Sequence, residues 1–203
     1  MKILLVFCHP RRDSLTGAVA DAFAEGAAES GHEIEWADLY GEGFDPVLMP
    51  DDEPDWTIEN KRYSDTVHRE MERIDRNDAI VMVFPIWWWS MPAMLKGWVD
   101  RVWNKDWAYG NKSLKHQHGL VIGLGANDVE GFEKHDYRRA MDVQMPYGVM
   151  GYCGIPENRM VILPQAGVDP EVTERQLAQT KQLGRTFPIC TKPPPEDAGL
   201  YLD

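Results

Sequence analysis

Three short stretches of this chain carry residue types that could do chemistry. The first, CHPRRDSLTG at residues 8–17, sets His9, Arg11, Arg12, Ser14 and Thr16 just ahead of an alanine-rich segment. If that segment is a helix, its first turn offers unbonded amide N–H groups and the positive end of a dipole, which together hold an anion. Taken alone, the residues fit an anion cradle and an ordinary serine cap beside solvated arginines equally well. The second, FPIWWWSMPAMLKGWVDRVW at residues 84–103, holds five of the eight tryptophans, with Trp87, Trp88 and Trp89 consecutive. The third, IGLGANDVEGFEKHDY at residues 122–137, places Gly123, Gly125 and Ala126 where backbone could approach a ligand closely.

The tryptophan run asks for an explanation beyond burial. A single core takes one indole easily, but three consecutive ones leave the backbone in different directions. On an irregular loop they present several flat apolar faces, which suits a planar heteroaromatic ring such as an isoalloxazine, with backbone amides at its polar edge. The competing reading is helix packing or an apolar interface; ligand and interface together account for the run better than packing alone. His135 and Tyr137, beyond the third stretch, read as helix surface or core positions.

What must position these stretches is legible in the apolar pattern. Uninterrupted apolar runs at Lys2–Phe7, Ile80–Phe84, Leu120–Gly123 and Met160–Leu163, with a weaker one at Glu33–Ala37, predict strands buried on both faces. Between them, helices are expected at Leu15–Ser30 (capped by Ser14 and ended by Gly31), near Tyr63–Ile74, from Pro92, over His135–Met145 and from Pro170 to about Phe187. Residues 41–62 have no period and predict a long loop. The alternating order gives an α/β doubly wound sheet of five parallel strands between helical layers, a three-layer α/β/α architecture. In such a sheet ligands sit beyond the carboxyl ends of the strands, which is where all three stretches fall.

Composition narrows the functions. At 203 residues, one domain over 1–190 with a proline-rich acidic tail at 191–203 is expected. A net charge of −12, from 33 acidic against 21 basic residues, argues against nucleic acid as a partner. Three widely spaced cysteines, Cys8, Cys153 and Cys190, fit a reducing compartment and no zinc site, with Cys8 a small core residue. The N-terminal residues do not read as a secretion signal, no apolar run is long enough to span a bilayer, and a cytoplasmic protein is expected. No P-loop or complete dinucleotide glycine pattern is present.

The motifs also carry a resemblance. Phe84-Pro85, Trp88-Trp89-Ser90 and Pro92-Ala-Met-Leu-Lys-Gly-Trp-Val-Asp-Arg-Val102 resemble the signature of the flavodoxin-like NAD(P)H:quinone oxidoreductases, the DT-diaphorase family. The bacterial branch includes modulator-of-drug-activity enzymes and the ancillary reductases of potassium-efflux systems. Residues 3–23 resemble that family's first strand and phosphate loop, and Trp107-Ala108-Tyr109 its Phe-Ala-Tyr. The resemblance implies a flavoprotein oxidoreductase, a homodimer with its site at the interface, binding FMN (or, alternatively, FAD) without a covalent link. It implies that His9, Ser14, Leu15 and Thr16 contact the flavin phosphate and ribityl chain, that Pro85, Ile86, Trp87, Trp88 and Trp89 line the ring, with Trp88 the foremost, and that Gly125 and Ala126 flank it. Tyr109 is expected to reach a substrate, in the partner subunit's site. The implied reaction is a two-step ping-pong, NAD(P)H reducing the flavin and a quinone reoxidising it. Arg11, Arg12 or Arg101 could favour a 2′-phosphate and so NADP over NAD. Gly123-Leu-Gly-Ala126 departs from the family's usual Thr-Thr-Gly-Gly. A one-electron carrier of the flavodoxin kind and a regulatory subunit docked on a membrane transporter are the alternatives.

Overall fold

The computed structural model describes residues 1–191. From residue 192 on, the expected acidic tail lies outside the described residues.

Five strands form one parallel sheet in the order β2-β1-β3-β4-β5: β1 (Lys2–Phe7), β2 (Glu33–Asp38), β3 (Ala79–Pro85), β4 (His118–Leu124) and β5 (Glu157–Leu163). Each predicted strand is present, and four run one to three residues longer than their predicted runs because polar ends such as His118 and Glu157 still pair in the ladder. Side chains alternate between the faces, as the pleat requires. Leu4, Val6, Ile80, Met82, Phe84, Val121, Met160 and Ile162 enter one apolar layer, which also holds the fully buried Trp98. Ile3, Leu5, Phe7, Val81, Val83, Leu120, Ile122, Val161 and Leu163 enter the other, with Phe23. Continuous apolar strands between two helical layers are the pattern of a sheet covered on both sides.

Helices α1 (Leu15–Glu29) and α6 (Pro170–Thr186) cover the second layer. They cross closely because Gly26 and Gly184 carry no side chain: a Cβ on Gly26 would stand 1.9 Å from the Lys181 carbonyl oxygen. Helices α2 (Asp65–Asp75) and α3 (Ala93–Val102) contribute Val67, Met71, Ile74, Leu95, Trp98 and Val99 to the first layer. Gly31, at φ +82°, ends the first helical segment as expected.

One element differs from expectation. Instead of a single helix over His135–Met145, the chain forms α4 (Val129–Glu133), α5 (Tyr137–Asp142) and a π-helical segment at Val143–Gly151. Asp128 caps α4 by accepting from the Gly131 amide, which starts helical structure earlier. Asp136, at φ 56°, interrupts it before Tyr137. Pro146 lies inside the last segment; its missing N–H and its ring are accommodated by the wider π winding. The expected loop at 41–62 has no regular element, yet it is anchored: Asp52, 1% exposed, accepts from Arg101 at 2.7 Å and from the Ser64 amide at 2.8 Å. Among the described residues no helix is long and apolar enough to cross a membrane.

Candidate active site

The strand register brings the three stretches to one edge. Phe7 pairs with Val83, and Pro85 with Leu124, so the residues that follow leave the sheet side by side at its carboxyl ends. The ladder runs a little further: Cys8 N–H donates to Val83 and Ile86 N–H to Leu124, at 3.0 and 2.7 Å. The β1–β3 contact is also where the winding of the sheet reverses, the position of ligands in doubly wound folds.

The turn after β1 is polar and internally satisfied. Ser14 is the N-cap of α1, its hydroxyl oxygen accepting from the Gly17 amide at 3.2 Å. Gly17 is required here: a Cβ on it would lie 2.0 Å from the Arg12 carbonyl oxygen, so a larger residue would push the loop off the helix start. His9 Nδ1 accepts from the Arg11 amide at 3.1 Å, which fixes the ring over its own turn. Arg12 is not free for a ligand. It pairs with Asp21 and lies over Trp36, its guanidinium carbon 4.7 Å from the ring centre. Leu15 packs against the second apolar layer and Thr16 is buried. Among the described residues their amides make no hydrogen bond, so the first turn of α1 keeps N–H groups to offer an anion.

The turn after β3 is apolar and strained. Trp87 and Ser90 form a two-residue hairpin, each amide donating to the other's carbonyl at 3.1 Å. The two residues between them, Trp88 and Trp89, have φ of 51° and 59°. Positive φ at both central positions is the signature of a type I′ turn, normally made by Asn-Gly. Two tryptophans in this conformation cost about 1–3 kcal/mol each, a strain found at ligand-binding sites. The three indoles separate as expected. Trp87, 42% exposed, stands 6.3 Å from the His9 ring; Trp88 is 95% exposed; Trp89 is half-buried, packed edge-on to Phe132 at 5.7 Å and stacked flat on Tyr137 at 3.6 Å. Ser90 Oγ donates to Gln144 Oε1 at 2.9 Å and ties the turn to the π-helical segment.

The turn after β4 supplies the opposite wall. Gly125 N–H continues the ladder to Leu163 at 3.0 Å. A Cβ on Gly125 would approach the tip of the Phe132 ring to 2.4 Å, so this glycine lets the ring close the base of the site. Ile86, Trp88, Trp89, Gly125, Ala126 and Phe132 line a cavity of about 250 Å³. A cavity of about 780 Å³ lies at the opposite, amino-terminal edge, between Asp78, Trp107 and His118, and contains none of the predicted site residues. That cleft is larger, but the convergence of aromatic walls, unbonded amides and strained backbone favours the carboxyl edge.

Tyr109 is not part of this convergence within one chain. It lies in the connection from α3 to β4, its ring 6.3 Å from that of Trp56 and 5.8 Å from that of Tyr152. Burial, with Tyr152 adding to it, raises its pKa, so the phenol is a neutral hydrogen-bond donor at physiological pH. Trp56 and Tyr152 are 70% and 67% exposed, so the group forms an outward aromatic face. Sequence reasoning missed Tyr137, Phe132 and Gln144 as supports of the tryptophan turn. The visible signal is the length of the connection: residues 86–91 alone lie between β3 and the Pro92 cap of α3, forcing a tight turn that something must brace.

Neither buried thiol on this side of the sheet is activated. Burial, the largest effect, pushes Cys8 up to about 12 and Cys153 to about 11, so neither is a thiolate near neutrality. No group of three or more His, Cys, Asp or Glu side chains among the described residues is arranged to hold a metal ion.

Residues 1–184 match the family described as flavodoxin-like fold. The chain is 39% identical over 163 residues to the uncharacterized NAD(P)H oxidoreductase YcaK of Escherichia coli (strain K12), an alignment covering 80% of this chain and 83% of that one. It is 25% identical over 200 residues to ribosyldihydronicotinamide dehydrogenase (quinone) of Rattus norvegicus, covering 86% and 84%. Among solved structures, an NAD(P)H:quinone oxidoreductase from Methanothermobacter marburgensis superimposes with a TM-score of 0.87 at 30% identity, covering 93% of this chain and 96% of that one.

Proposed function

This chain belongs to the flavodoxin-like-fold family of NAD(P)H oxidoreductases, and from that premise we propose that it is a flavin-dependent NAD(P)H:quinone oxidoreductase. The observation that carries this reading is the shared edge: unbonded amides at the start of α1, and, beside them, an aromatic turn facing Gly125 and Ala126. A flavin has a phosphate at one end of a flexible chain and a flat tricyclic ring at the other, and the two turns match those ends.

The residues present fit the group. The amides of Leu15 and Thr16, with His9 and the Ser14 cap beside them, would take the phosphate. The Ile86–Trp89 turn would line the ring, and the glycine and alanine after β4 would let it approach the backbone. FMN suits this better than FAD, because a terminal phosphate carries the greater negative charge and meets the positive end of the helix dipole directly. When bound, the flavin would supply the redox chemistry of a ping-pong sequence, hydride passing from NAD(P)H to the ring and then on to a quinone, with the further proton of the hydroquinone coming from solvent. The protein's share is positional. Trp88 and Trp89 would provide an apolar face for a flat reactant, and the amides of these two residues, which make no hydrogen bond among the described residues, would be available to its polar edge. No ionisable side chain is needed at the reacting atoms.

The site is open on one side, since Trp88 projects almost wholly into solvent. A second copy of the chain would close it. Trp56, Tyr109 and Tyr152 form the aromatic face suited to that task, which accounts for a tyrosine that has no partner in its own chain's site. The homodimer therefore belongs to the same proposal, with Tyr109 contacting substrate from across the interface.

The test is to purify the chain, load it with flavin, release the flavin by heat and identify it by mass, alongside the mass of the native assembly. A yellow dimer releasing FMN is expected. A chain that neither retains nor rebinds any flavin contradicts the proposal.

A further inference from the structure

The tryptophan turn holds a conformation that its own sequence disfavours, so something outside it must supply the restraint. We propose that Tyr137 is a positioning residue that acts through Trp89: its ring fixes the indole in the orientation that keeps the slot beside Gly125 open to a planar ring.

The geometry is specific. Tyr137 and Trp89 lie parallel within 6°, with ring centres 3.6 Å apart, so their faces are in full contact. Phe132 meets the same indole at 89°. One neighbour flat and another edge-on together restrain both tilt and swing of the indole. Phe132 is fully buried and sits against Gly125, so the two walls of the slot are joined through these rings. Both supporting rings come from the connection between β4 and the π-helical segment, and the left-handed Asp136 immediately precedes Tyr137. Among the described residues the phenol hydroxyl takes part in no hydrogen bond, which assigns the work to the ring. Without the stack, Trp89 would be free to leave φ 59°, and the turn would relax toward conformations better suited to a bulky residue.

This inference rests on the flavin reading above, and its test separates the two. The full-length chain is titrated with FMN, and the dissociation constant is measured for the wild type, Tyr137→Phe and Tyr137→Leu, with circular dichroism and thermal unfolding as checks on folding. Tyr137→Phe keeps the stack, and its affinity is expected within about twofold of wild type. Tyr137→Leu removes an aromatic contact and is expected to weaken FMN binding about five- to tenfold. In a Trp89→Leu background, Tyr137→Leu is expected to add no further loss, since its effect passes through the indole. If the leucine variant does not fold, Tyr137→His keeps a smaller flat ring, and an intermediate loss is expected; unchanged affinity there overturns the inference. Unchanged affinity in Tyr137→Leu, a phenylalanine variant as weak as the leucine one, or additive losses in the double variant also overturn it. A wild-type chain that binds no FMN overturns the flavin reading and this inference together, whereas a flavin-binding wild type with an indifferent Tyr137→Leu overturns this inference alone.

Discussion

The turns after β1 and β3 leave adjacent strands at the same edge, yet they are built on opposite principles. The first is polar and relaxed: a serine cap, a glycine where the loop crosses the helix start, a histidine bonded to its own turn and an arginine tied to Asp21. The second is apolar and strained, with two tryptophans in a conformation normally left to asparagine and glycine. The first spends its residues on its own hydrogen bonds and keeps backbone amides for an anion. The second gives up backbone comfort to hold indoles where folding alone would not. On the proposed function, a molecule charged at one end and flat at the other would account for both kinds of turn standing side by side.

That contrast can be broken most sharply at Trp88, whose side chain makes almost no packing contact. Trp88→Asn places a residue favoured at the first central position of a type I′ turn. It is expected to stabilise the flavin-free protein by about 1 kcal/mol while weakening FMN binding about tenfold or more, a trade of stability against function. Thermal unfolding and FMN titration on the same preparation check both halves. In the polar turn the two effects should instead fall together. Gly17→Ala is expected to cost about 1–3 kcal/mol from the clash with the Arg12 carbonyl, and to weaken FMN binding about tenfold by displacing the loop. Ser14→Ala should be milder, losing about 1 kcal/mol with the cap and a few-fold in affinity. The smallest effect is expected at Cys8, at the base of the same turn. A thiol raised to about 12 stays protonated at neutral pH, so iodoacetamide at pH 7.5 should leave it unmodified and FMN binding unchanged, as peptide mass mapping would show.

The framework of the site was legible in the sequence because apolar runs and caps specify strands and helices locally. All five strands and Ser14 as a cap follow from residue type and spacing. The conformation of the tryptophan turn was not, because no glycine or asparagine announces it. The turn is braced at Trp89 by Phe132 and Tyr137 and at Ser90 by Gln144, which lie more than forty positions away in the chain. The interrupted helix around Asp136 was illegible for a related reason. Local propensity favours one helix across 135–145, whereas the three-piece solution seats Phe132 and Tyr137 against the turn. Tyr109 shows a further limit: it lies away from the carboxyl edge, in an outward aromatic group with Trp56 and Tyr152 that its sequence position does not announce.

The measurement that bears most directly on the central claim is the visible absorbance of the FMN-loaded protein under anaerobic conditions. NADH or NADPH is added first, and a quinone such as menadione only after the reductant is consumed. The account predicts prompt loss of the flavin absorbance with one equivalent of reductant and its full return with one equivalent of quinone. Absorbance that does not respond to either nicotinamide, or that returns only with oxygen and never with quinone, would contradict it.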